Sequence, residues 1–86
     1  MQIKKELICR EIAGECFLVP VGKAIYDTNG LFVLTEVGGF LWNRLPLAAD
    51  EEDLVQAVLA EYEVDEATVR KDVSGFLSKL KNFGFL

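Results

Sequence analysis

Asn29-Gly30-Leu31-Phe32-Val33-Leu34-Thr35-Glu36-Val37-Gly38-Gly39-Phe40-Leu41-Trp42 contains the change of period that decides the fold. Asn29-Gly30 is the strongest local turn signal, because both residues tolerate the positive φ of a tight hairpin. The four apolar residues that follow, Leu31, Phe32, Val33 and Leu34, read as a strand. Thr35 then offers a hydroxyl to cap a helix, and Glu36 suits the positive end of one. From there Val37, Leu41 and Leu45 recur at helical spacing until Pro46 stops the run. Gly38 and Gly39 inside that helix cost about 1 kcal/mol each against Ala. Close packing on a sheet, where a side chain would not fit, accounts for them.

Working outward, the N-terminal side is strand-like. Residues 7–13 form a first strand, with Ile8, Arg10 and Ile12 on one face and Leu7, Cys9 and Glu11 on the other. Gly14-Glu15 signals a turn, and residues 16–21 form a second strand. Pro20 and Gly22 disturb that strand, which bends and continues through Ala24-Ile25-Tyr26-Asp27. Three sequential strands joined by tight turns make a meander, with the third strand at an edge. The C-terminal side is helical. Asp50 begins a second helix whose stripe is Leu54, Val55, Val58, Leu59 and Tyr62. Asp65 caps a third, striped by Val69, Val73, Phe76, Leu77 and Leu80, with Gly84 as its stop. Gly75 within that helix fits either a close approach or an ordinary surface position. The expected fold is α+β: a three-stranded antiparallel sheet followed by three helices, winged helix-turn-helix-like, in a single domain over 1–86.

The totals narrow the function. Eighty-six residues suit one domain, and 51% hydrophobic residues supply a core dense enough to fold. No apolar run approaches the roughly 20 residues of a membrane span, and no apolar segment follows the N-terminal lysines as a signal peptide requires. A cytoplasmic protein away from the membrane is expected. With no His and only two Cys, a metal site is not expected. A hairpin turn at Gly14-Glu15 would set Cys9 opposite Pro20 and Cys16 opposite Ala13. A disulfide is then hard to close, and two reduced thiols are expected. Catalysis has no visible machinery: no nucleophile with a base, no phosphate-binding glycine loop, and carboxylates that follow helix surfaces and caps. No cofactor is implied, and the protein is not expected to be an enzyme.

The net charge of −5 disfavours nucleic acid, and no basic residue lies between Arg44 and Arg70. A recognition helix would present Asp65-Glu66 first, with Arg70, Lys71, Lys79 and Lys81 spread along it. A winged-helix DNA-binding regulator is therefore the alternative reading, with a weak electrostatic term. The leading one uses the third strand's open edge, where an extended peptide can add as a further strand. An N-terminal segment or a second copy covering that edge is the competing possibility.

Arg10-Glu11-Ile12-Ala13-Gly14-Glu15, Leu18-Val19-Pro20, the quoted stretch from Asn29 to Trp42, and Asp72-Val73-Ser74-Gly75-Phe76-Leu77-Ser78-Lys79-Leu80 follow one another in a telling order and spacing. Together they resemble the PqqD family (pyrroloquinoline quinone biosynthesis protein D), also called the RiPP recognition element, for ribosomally synthesised and post-translationally modified peptides. The resemblance implies a non-catalytic binder of a precursor's leader peptide, which adds antiparallel to the third strand beside the third helix. It also implies delivery to a modifying enzyme, often a radical S-adenosylmethionine enzyme. Mapped here, the groove would involve Leu31, Phe32, Val33 and Leu34, with Val69, Val73, Phe76, Leu77 and Leu80 along the helix, chiefly core residues. Lys71 and Lys79 would meet leader carboxylates, and Asp72 matches a family position. The resemblance does not choose the product of the pathway.

Overall fold

The computed structural model describes residues 1–23 and 32–86. The expected continuation of the second strand through Ala24-Ile25-Tyr26-Asp27, the Asn29-Gly30 turn and Leu31 lie outside the described residues. β1 (Leu7–Ile12), β2 (Glu15–Pro20) and β3 (Phe32–Leu34) form an antiparallel sheet in the order β1-β2-β3. α1 (Glu36–Arg44) runs into a 3-10 turn at Leu45–Leu47, followed by α2 (Glu51–Glu61) and α3 (Glu66–Asn82). This is the α+β order that the periodicity predicts.

Each helix begins where a short polar side chain can accept an otherwise unpaired amide. Thr35 Oγ1 accepts from the Gly38 amide at 3.0 Å, Asp50 from Asp53 at 3.0 Å, and Asp65 from Thr68 at 3.0 Å. Asp53 completes a box at α2 by accepting from the Ala49 amide at 2.8 Å. α3 ends at Gly84, whose φ of 78° turns the chain back so that the Phe85 amide bonds Leu80 O at 2.8 Å. The core lies between the inner sheet face and the three helices. Leu18, Leu41, Trp42, Leu45, Leu54, Val55, Val58, Val73, Leu77 and Phe85 are all buried there. The N-terminal segment packs Met1 and Ile3 on this core, and the Lys4 amide bonds Phe85 O at 2.7 Å.

The first hairpin differs from the sequence reading by one turn position. Ala13 (φ 52°) and Gly14 (φ 82°) form the turn, so Ile12 faces Glu15 and Cys9 faces Leu18. A two-residue turn of this kind needs two positive φ values, and Gly14 at the second place lets Ala13 take the first. The shift sets Cys9 and Cys16 diagonally on the inner sheet face with Cα atoms 6.0 Å apart, where they form a disulfide. The expectation of two reduced thiols is thereby corrected. Closing this short loop contributes about 2 kcal/mol through the unfolded state. Reduction should lower the urea-unfolding free energy by that amount, and the Cys9→Ser/Cys16→Ser variant should show no such response.

Close packing explains one of the paired glycines directly. A Cβ on Gly39 would stand 2.9 Å from the Cys16 Cβ. Gly39→Ala should therefore destabilise by about 1–3 kcal/mol despite its better helix propensity. Gly75 meets nothing within 4 Å and is a surface position. There Gly75→Ala should stabilise by up to about 1 kcal/mol. Chemical denaturation of the two variants gives opposite signs.

Arg70 ties α3 to α2. Its guanidinium bonds Glu52 at 2.5 and 3.0 Å, and Glu66 one turn back at 3.2 Å. The hydrogen bond from Arg70, then that from Gln56, pulls the Glu52 carboxyl down from 4.5 to about 2. The folded value is the lower one, so this contribution is present above pH 4.5 and is lost as pH falls through about 2. Glu52→Gln should flatten the acid limb of the stability profile across that window, read from urea midpoints at successive pH values.

Candidate peptide-binding edge

β3 is bonded to β2 on one side through Cys16↔Leu34, Phe17↔Val33 and Leu18↔Phe32. On its other side, no backbone hydrogen bond from a described residue reaches Phe32, Val33 or Leu34. The N-terminal segment lies against the Phe85 turn and does not pair with β3. The outer margin is thus open to an extended chain among the described residues.

An aromatic cluster sits beside that margin. Phe32 meets Phe83 at 4.9 Å and Phe85 at 5.0 Å between ring centroids, both edge-on, and Phe85 in turn meets Trp42 at 6.3 Å. Phe85 is 1% exposed and anchors the cluster, whereas Phe83 is 49% exposed. Phe83 and Phe85 were not among the residues that the sequence reading assigned to the groove. The signal for them is Phe83-Gly84-Phe85: a glycine ending a helix, with an apolar residue after it to fold back on the last turn.

Of the α3 residues read from sequence, Val69, Val73, Leu77 and Leu80 are buried at 5% exposure or less, and their side chains belong to the core. Phe76 is half-buried, and Lys71, Asp72 and Lys79 are exposed. Helical spacing places Asp72, Phe76 and Lys79 on one flank that leads to Phe83. Lys71 falls about 100° round from Asp72, away from that flank. None of these three charged residues makes an ion pair among the described residues. The side chains shown at the β3 margin are Phe32, Val33 and, from the turn after α3, Phe83; Phe76, Asp72 and Lys79 share the α3 flank that leads to Phe83.

A hollow of about 240 Å³ opens elsewhere, lined by Cys9, Cys16, Glu11, Glu36, Gly39 and Tyr62 among others. Burial, followed by the charges of Glu36 and Glu61, pushes the Tyr62 hydroxyl above its ordinary value. The hollow offers no nucleophile with a base, and no group of three metal-ligating side chains occurs among the described residues.

The family model for Coenzyme PQQ synthesis protein D (PqqD) matches residues 15–86. This chain belongs to the PqqD family. Among solved structures it is similar to one described as TbiB1 in complex with the TbiA(beta) leader peptide. The two share 32% identity with a TM-score of 0.76, and the match covers 100% of this chain and 94% of that one. No curated protein matches the chain. The PqqD fold thus accounts for the sheet-then-helices order. No helix among the described residues is long and apolar enough to cross a membrane.

Proposed function

We propose that this PqqD-family protein is a recognition element for the leader segment of a ribosomally made precursor peptide. The observation that carries the reading is the open β3 margin beside Phe83, in a fold shared with a protein solved with a leader peptide. The leader adds antiparallel to β3 and takes main-chain hydrogen bonds from it. Its side chains on the core side rest against Phe83 and the Asp72–Phe76–Lys79 flank. Exposed Lys79 attracts a leader carboxylate.

The protein performs no bond chemistry. It tethers the precursor near a modifying enzyme, such as a radical S-adenosylmethionine enzyme, and so raises the effective concentration of the segment to be modified. The DNA-binding alternative gains no support. The first turns of α3 present Asp65 and Glu66, and Arg70, the base nearest that end, is held by Glu52 and Glu66.

A titration of the labelled protein with a synthetic leader tests the reading. The largest amide shifts should fall on Phe32, Val33, Leu34 and the Phe83 turn. Affinity should change little between 50 and 300 mM salt, where duplex DNA binding would fall steeply. Phe83→Ala should weaken binding about tenfold while the fold is retained. Shifts confined to β1, or none, would overturn the assignment.

A further inference from the structure

The outer face of the sheet is not used by anything described so far. It carries Ile8, Arg10 and Ile12 from β1, Glu15, Phe17 and Val19 from β2, and Val33 from β3. None of these side chains belongs to the core cluster or packs against it. Of the six large apolar side chains most exposed among the described residues, three lie here: Ile8 at 37%, Ile12 at 59% and Val33 at 54%. Arg10 stands in their midst, opposite Phe17, and makes no ion pair among the described residues.

The geometry points to this face as the docking surface for the peptide-modifying enzyme, completed by the bound leader; the inference rests on the leader-binding reading above. Two arguments select that occupant. The first is area. Two strands of six residues and one of three span a footprint of roughly 240 Å². A stable dimer of identical chains needs nearer 800 Å² from each partner. The face alone is too small for a self-sufficient interface. The second is continuity. In a pleated sheet, residues directly opposite one another project to the same side. A leader strand added beside β3 therefore places every second side chain next to Val33, widening the apolar face by a fourth strand. An enzyme seated there touches this protein and its cargo together, and prefers the loaded form. The complementary patch on the enzyme is apolar, with a carboxylate to meet Arg10.

The test uses the full chain, a synthetic leader peptide and a purified radical S-adenosylmethionine peptide-modifying enzyme as probes. Ile8→Glu/Ile12→Glu alters only β1, the strand furthest from β3. Ile12→Glu alone serves as the milder variant should the double one lose its cooperative thermal transition. Leader affinity should stay within twofold of wild type. Affinity for the enzyme should fall at least tenfold, and Arg10→Gln should lower it several-fold. In the wild type, saturating leader should tighten the enzyme complex at least fivefold, and enzyme should tighten leader binding by the same factor.

Unchanged enzyme affinity in a folded face variant would overturn the proposal. So would a leader that has no effect on enzyme binding, a tenfold loss of leader affinity from the β1 changes, or a concentration-dependent dimer that the same changes abolish. If wild type binds no leader yet binds the enzyme through this face, the leader reading fails. The composite surface fails with it, and the docking face alone remains.

Discussion

Phe85→Ala should be the most damaging single substitution outside the sheet, removing about 3–5 kcal/mol of stability. The ring is 1% exposed and lies edge-on to Phe32 at 5.0 Å and to Trp42 at 6.3 Å, so truncation leaves a cavity walled by two elements at once. A domain of this size has about 4–13 kcal/mol in total, so the loss is a large part of it. Equilibrium urea unfolding reads the effect. Phe83→Ala is the control: at 49% exposure it should cost at most about 1.5 kcal/mol. Leader binding separates the pair further. Phe83→Ala loses affinity with the fold intact, whereas Phe85→Ala loses it because Phe32 no longer has a backing. A cost below 1 kcal/mol for Phe85→Ala would mean that the turn after α3 is not part of the core.

The second large effect is expected from the peptide. Methylating single backbone nitrogens along a synthetic leader should reduce affinity by roughly 10- to 100-fold at alternate residues and leave the residues between them within about twofold. In an antiparallel ladder every second amide of the added strand points at its neighbour, and the others point away. A methyl group on an inward amide removes the donor and also forces the strands apart. Fluorescence anisotropy across the series gives the pattern. A flat profile would show that side chains alone hold the leader, and the edge-strand mode would be abandoned. The pattern also reports register, because the sensitive positions are those bonded to Phe32, Val33 or Leu34.

Much of this architecture was legible in the chain because its determinants are local. Thr35, Asp50 and Asp65 each cap a helix from within four residues, and Pro46 and Gly84 stop helices where they stand. The hairpin was harder. Ala13-Gly14 and Gly14-Glu15 both place a glycine in a two-residue turn, and only the ladder on either side distinguishes them. That ambiguity of one position carried the cysteines from an unbridgeable register to a disulfide. Gly38-Gly39 was correctly read as a close approach, yet what presses on Gly39 is Cys16 from β2, which no local pattern names.

The candidate site has an edge that follows from strand order and a wall that the periodicity does not name. The open β3 margin follows from strand order. Phe83 and Phe85 meet Phe32 only after the whole chain has folded back, so periodicity within α3 does not point to them. The same stripe that marks Val69, Val73, Leu77 and Leu80 as helix-facing also commits them to the core. What is left to a ligand is the stripe's margin, where helical phase separates Asp72, Phe76 and Lys79 from Lys71.

The bond from the Lys4 amide to Phe85 O joins the first strand's approach to the turn behind the aromatic cluster. Nearly the whole chain lies between these two residues, so no partly ordered species holding only the hairpin or only the helix pair can make it. Deuterium should consequently enter the Lys4 amide only when this long-range contact opens. A copy whose last three residues have not folded back would leave Phe32 without the Phe85 ring behind it, and the β3 margin would lose its support.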